Sequence, residues 1–297
     1  MSGWRPVESV DLDEVNADLV DGVSTAMVMI HHPENLDPMH RSKVTLELMI
    51  EGFMRSKPIF AEAGVQLELA AVRTGPLDPK LFEVTSTDDP HPIPRGRFVG
   101  MYRGIERNPH RLSDGAEAAF GAIIPNVPEV DRIVHLVVLQ DVFMTFCEQL
   151  DFRTWQWKTI STGGLSFPGY MYGSTIPRPL RGVITITDLT KEMTSWKTIA
   201  HELGHKLMNV SHEYRDVAPQ HEVRADGGLM LYGQGTEIPS GEAGRFHRER
   251  LHVSPFLYRM TDGHRQWNPD YLEHGFYHDP IYDGISIELD PSDLMQP

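Results

Sequence analysis

The sequence predicts an α+β protein whose N-terminal part is of α/β type, and three observations carry that reading. Strand-like and helix-like stretches alternate from residue 22 to residue 209 and open on strand, long helix, strand, an order that implies a right-handed parallel crossover. Hydrophobic residues make up 40% of the 297 positions, enough for a substantial core in one large domain or two modest ones. After residue 210 the periodic patterns thin out, so a mostly irregular and helical C-terminal region is expected. The division that follows is an N-terminal arm over residues 1–21, a subdomain with the sheet and main helices over 22–209, and a C-terminal subdomain over 210–297.

Residues 1–21 are polar and acidic with scattered valines and leucines, the composition of an arm or a short prosegment. Residues 23–31, Val-Ser-Thr-Ala-Met-Val-Met-Ile-His, read as a strand. Residues 38–63 place Val44, Leu48, Phe53 and Phe60 at helical spacing, with Pro58 marking a break or an end. Residues 64–73 alternate as a strand with one buried face does, and 132–140 form a nearly continuous apolar run, the mark of a strand buried on both faces. Residues 183–187 (Val183, Ile184, Thr185, Ile186 and Thr187) make a fourth strand, and 190–209 read as a helix.

Two long segments interrupt this order. Residues 74–131 are rich in proline and glycine with a short helix expected at 113–120. Residues 152–181 carry Trp155, Trp157, Tyr170 and Tyr172, which would either wall a substrate cleft or pack over the core. Residues 241–260 look helical, and the tail from Asp262 is rich in His, Tyr and Pro.

A net charge of −15 argues against nucleic acid and anionic membrane as partners, because phosphate binding needs clustered Lys and Arg. The lone cysteine, Cys147, excludes an internal disulfide and reads as a buried small hydrophobe. The start Met-Ser-Gly-Trp-Arg-Pro has no apolar signal core, and no run reaches the roughly 18 apolar residues of a membrane span. The expectation is a cytoplasmic chain, or one exported without a classical leader.

The chemistry concentrates in His201-Glu202-Leu203-Gly204-His205, followed after six residues by His212. Histidines four apart on a helix lie one turn above each other, so both imidazoles reach one metal ion, with Glu202 close enough to act on a water beside it. Fifteen histidines in the chain make five letters weak evidence alone, so the flanks must carry the rest. A strand precedes the motif. Trp196, Ile199, Ala200, Leu203 and Leu207 form an apolar stripe that would bury one side of the helix. Asn209, a residue tolerant of the left-handed conformation, offers a stop that turns the chain back toward the histidines.

In these residues the chain resembles the metzincin clan of zinc peptidases, whose signature is HExxHxxGxxH above a methionine turn that reads Met-x-Tyr in some branches. His201, Glu202 and His205 match the first ligand, the general base and the second ligand. Met230-Leu231-Tyr232 matches the methionine turn. The spacing departs by one: six residues separate His205 from His212 where the family has five, and Asn209 stands one place beyond the family's glycine. The extra residue rotates the helix exit by about 100°. His212 is the candidate third ligand, with Glu222, Asp226 and His221 as rivals.

The resemblance implies a zincin fold with a mixed twisted sheet, a backing helix and an active-site helix. It implies Zn2+ held by His201, His205 and His212, and peptide hydrolysis by Glu202-assisted attack of a zinc-bound water. Met230 would floor the site, and Tyr232 would act as a catalytic hydrogen-bond donor or pack as an aromatic below it. The peptide or protein substrate would pair with residues 183–187 as an edge strand. The alternatives are a zinc-dependent hydrolase of small substrates and an inactive metal-binding protein that keeps the fold.

Overall fold

The computed structural model describes residues 3–34, 41–78, 114–140, 143–149, 155–161, 163–166, 177–187, 195–210, 228–230, 236–269 and 276. In chain order the described residues form β1 (Arg5–Pro6), α1 (Leu12–Val15), β2 (Thr25–Pro33), α2 (Leu46–Glu62), β3 (Gln66–Gly75), α3 (Asp114–Ile123) and β4 (Val134–Val138). They continue with β5 (Phe143–Gln149), β6 (Trp155–Ser161), β7 (Gly164–Ser166), β8 (Val183–Ile186), α4 (Ser195–Met208), α5 (Arg245–His252), β9 (Leu257–Thr261) and β10 (His264–Trp267).

The protein is mixed α/β with an open mixed sheet. Its strand order is β1-β3-β2-β4-β8-β7. The four central strands β3, β2, β4 and β8 run parallel, as the strand, helix, strand pattern requires, whereas β1 and β7 are antiparallel ends. Strands β5 and β6 form a separate antiparallel pair.

Residues 183–187 do not border the sheet, contrary to the expectation of a substrate-binding edge. β8 pairs with β4 on one side and with β7 on the other, and all four of its residues are buried. An unbroken Val-Ile-Thr-Ile run is what burial on both faces selects, and a strand paired on both edges uses it. The border on this side is the three-residue β7, inside a stretch expected to be irregular.

One sheet face packs on α2 and α4. Val28, Ile30, Leu67, Leu69, Leu136 and Ile184 meet Met49, Phe53, Phe60, Ile199, Leu203 and Leu207 in one continuous core. Phe53 and Phe60 are fully buried, each contributing about 2 to 3 kcal/mol relative to exposure. The α2 helix starts later than its apolar pattern suggests, because the Thr45 hydroxyl caps it by accepting from the Leu48 N–H at 3.3 Å. It also runs through Pro58, which was expected to break it. Pro58 and Met54 are both exposed, so the carbonyl left without its donor lies on the watered side of the helix.

Residues 241–260 are not one helix. A single turn of 3-10 helix leads into α5, and β9 follows, joined to β10 through Asp262 (φ 52°) and Gly263 (φ 75°). Two successive left-handed residues make the tight turn whose twist suits a hairpin, and Asp-Gly is a favoured pair for it. β9 then joins β2 at Thr25 and Ala26.

The N-terminal arm is equally built in. β1 pairs with β3, Trp4 is buried, and Asn16 makes both side-chain bonds to the backbone of Leu69, at 2.9 and 3.0 Å. Buried Lys57 on α2 donates to the Val15 carbonyl at 2.6 Å and pairs with Asp18. The sheet thus draws strands from all three sequence segments. No helix among the described residues is long and apolar enough to cross a membrane.

The opposite sheet face buries a polar pair. His31 on β2 and His135 on β4 are fully buried, with His31 Nε2 3.1 Å from His135 Nδ1 and His135 Nε2 3.1 Å from the Val130 carbonyl. The carbonyl requires a proton on His135 Nε2, so Nδ1 accepts from His31 and both rings are neutral. Burial, with Arg73 and Lys206 nearby, pushes His135 down to about 4, the Val130 carbonyl opposing; burial and His135 push His31 down as well.

An unfolded histidine takes its proton near pH 6.5, whereas folded His135 refuses it until about 4, so stability falls as pH drops through that window. The loss for His135 is of order 3 kcal/mol. Urea unfolding of metal-free protein between pH 7 and pH 4.5 should show a falling midpoint, and His135→Gln should flatten the fall. Parallel curves for the two proteins would remove the pair as the cause.

Candidate metal centre

The α4 helix carries the motif, and its local sequence explains its placement. Ile199, Ala200, Leu203 and Leu207 enter the core as the apolar stripe predicts, leaving His201, Glu202 and His205 on the flank that faces β7 and the chain's return. Helical residues four apart stack, and the two imidazoles meet edge to face with centroids 4.5 Å apart. One nitrogen from each ring and a Glu202 oxygen lie within 4.8 Å of one another.

Each imidazole is tied at Nδ1. His201 Nδ1 bonds to the Leu229 carbonyl at 2.8 Å, and His205 Nδ1 to the Val210 carbonyl at 2.6 Å. A carbonyl only accepts, so Nδ1 bears the proton in both rings and Nε2 keeps its lone pair. Burial lowers the His201 pKa, which favours the neutral, ligating form, although the Leu229 carbonyl works against it. The donor set fits a divalent ion that prefers imidazole nitrogen, zinc among them.

Glu202 is buried, and its Oε2 has no hydrogen-bond partner among the described residues. Burial raises its pKa strongly, while the Lys206 ammonium one turn along the helix and the Ser166 N–H pull it down. Lys206 is buried too and donates to the Arg181 carbonyl at 2.7 Å; burial lowers its pKa and Glu202 opposes.

The helix ends as the sequence suggests. Asn209 is left-handed at φ 51°, and its Nδ2 donates to the Phe276 carbonyl at 2.7 Å. Arg250 from α5 donates to the Met208 carbonyl at 3.1 Å and to the Asn209 carbonyl at 3.2 Å, placing a buried cation on the negative end of α4. The turn delivers Val210 beneath His205.

Met230 is fully buried against the middle of the motif. A Cβ built on Gly204 would lie 2.6 Å from Met230 Sδ and 3.0 Å from Leu229 Cδ2, so any larger residue there would push these side chains away from the helix. Two contributions escaped the sequence reading: Gly204, treated there as a variable letter of the motif, and Gly164 on β7, whose absent Cβ makes room for Glu202. A three-residue strand leaves no periodic signal that would have found the second. His212, His221, Glu222, Asp226 and Tyr232 lie outside the described residues, as do the side chains of Cys147, Trp155 and Trp157. No protein-family model matches this chain, and no curated protein matches its sequence.

The Asn209 turn yields a graded prediction. Alanine there loses the bond to Phe276 and tolerates the left-handed conformation less well than asparagine does, together costing about 2 to 3 kcal/mol. Asn209→Gly loses only the bond, about 1 kcal/mol. Chemical denaturation of the metal-free variants should rank them in that order; equal losses would mean that backbone conformation is not what Asn209 supplies.

Proposed function

We propose that this chain is a zinc-dependent metallopeptidase of metzincin type, hydrolysing peptide bonds with Glu202 as general base. The observation that carries the reading is the convergence of two Nδ1-anchored imidazoles on a buried carboxylate with one unpartnered oxygen. A metal held only for structure has no need of such a carboxylate, whose burial costs stability.

His201 and His205 would hold the ion through Nε2, with His212 as the proposed third ligand. Bound there, zinc would supply Lewis-acid polarisation of a carbonyl and acidification of a water. The chain's own residues do the rest. Glu202 Oε2 receives the proton of the attacking water and returns it to the departing amine, a role suited to a carboxyl whose pKa burial has raised toward neutrality. Met230 and Leu229 pack against Gly204 and back the helix beside the histidines. Tyr232 is proposed to donate to the oxyanion. β8, paired on both sides, leaves no edge for an extended peptide to join, so the role first expected of residues 183–187 falls away.

Incubation of zinc-loaded protein with a denatured-protein peptide library, read by mass spectrometry, should give cleavage that falls at least about a hundredfold in Glu202→Gln, the scale of general-base catalysis. Glu202-independent cleavage, or none, counts against the peptidase and leaves the small-substrate hydrolase as the reading to pursue.

A further inference from the structure

We propose that Gly164 and the backbone N–H of Ser166 form a seat for the Glu202 carboxylate, so that the terminal strand β7 positions the general base. The proposal rests on the reading of Glu202 as that base. Neither residue touches substrate in this scheme, so both act as positioning residues.

The first support is the ladder. Gly164 pairs opposite Ile186, Leu165 opposite Thr185 and Ser166 opposite Ile184, antiparallel. The Thr187 N–H donates to the Gly163 carbonyl at 2.9 Å. Bonded and non-bonded pairs alternate in an antiparallel ladder, so Leu165 makes the next exchange with β8, and Gly164 and Ser166 turn their backbone groups to the outer side. On that side the Ser166 N–H bonds to the Glu202 carboxylate. A backbone donor is a more rigid anchor than a side chain because the sheet fixes its direction. The bond also offsets part of the cost of burying the carboxylate.

The second support is the space. A Cβ on Gly164 would stand 2.6 Å from Glu202 Cγ, 2.8 Å from Oε1 and 2.9 Å from Cδ. The three nearest atoms all belong to Glu202, the mobile end of one side chain, and Gly164 has no left-handed backbone that alanine would strain. Gly164→Ala is therefore a selective perturbation: it evicts the carboxylate from its seat and leaves the ladder, the helix and the imidazole anchors in place. The Ser166 hydroxyl, buried and without a partner among the described residues, lies on the same strand face as the missing Cβ, two residues along, so this corner holds two polar oxygens that no described residue satisfies.

Two readouts test the seat. In metal-free protein with 13C-labelled glutamate carboxyls, the Glu202 resonance is identified by its loss in Glu202→Gln. Gly164→Ala should shift that resonance and few others, with the unfolding temperature little changed; an unmoved resonance overturns the proposal. The second readout is turnover of a peptide found in the library. Gly164→Ala should lower kcat about tenfold to a hundredfold with KM within about twofold, the scale of a misplaced catalytic group. In a Glu202→Asp background, where the carboxylate is drawn back by one methylene, the same change should alter kcat by less than about twofold. Equal losses in the two backgrounds overturn the seat. Should the wild type cleave nothing, the peptidase reading falls while the carboxyl resonance still decides whether Gly164 and Ser166 hold Glu202.

Discussion

Two backbone carbonyls govern what the α4 helix can do. Those of Leu229 and Val210 each take the Nδ1 proton of one histidine, and so leave the Nε2 lone pair of each ring for a metal ion. A helix alone would leave these rings free to rotate and to choose their tautomers. Both carbonyls come from chain that follows the helix, so the pair is useful only if that chain returns. Left-handed Asn209 turns it, Arg250 holds the turn from α5, and Gly204 lets the Met230 segment close against the helix. Much of the C-terminal packing among the described residues serves this return.

The second constraint is buried charge. Glu202 and Lys206 stand one helical turn apart, both buried, and each relieves part of the other's desolvation. An apolar pair would pack there at lower cost. Keeping a carboxylate with an unpartnered oxygen is the kind of local inconsistency that structures retain where chemistry happens. The buried histidines of the opposite face are a different case: neutral and bonded to each other and to Val130, they anchor neighbouring strands and enter stability through pH.

The parts legible in the sequence were those with a long physical signature. β2, β3, β4 and β8, together with the bodies of α2 and α4, follow from runs of apolar residues at period 2, at helical spacing or unbroken. Asn209 was legible because few side chains tolerate a left-handed turn. Residues 183–187 were placed at the border by the resemblance, and β7, only Gly-Leu-Ser, carries no pattern that would have revealed a strand beyond them. The β9–β10 hairpin was hidden because Leu-Tyr-Arg-Met-Thr and His-Arg-Gln-Trp are short and carry no regular alternation beside a helical stretch, although Asp262-Gly263 marks the turn. Gly164 was invisible for a deeper reason, since what it contributes is a missing atom facing a residue far along the chain.

His201 and His205 are proposed to present two Nε2 atoms to one metal ion. X-ray absorption at the zinc edge, on metal-free protein titrated with zinc, tests it most directly. One equivalent should bind per chain, with imidazole nitrogens at about 2.0 to 2.1 Å, and that signature should be lost when both histidines are replaced by alanine. Failure to take up stoichiometric zinc, or an unchanged spectrum in the double variant, would contradict it.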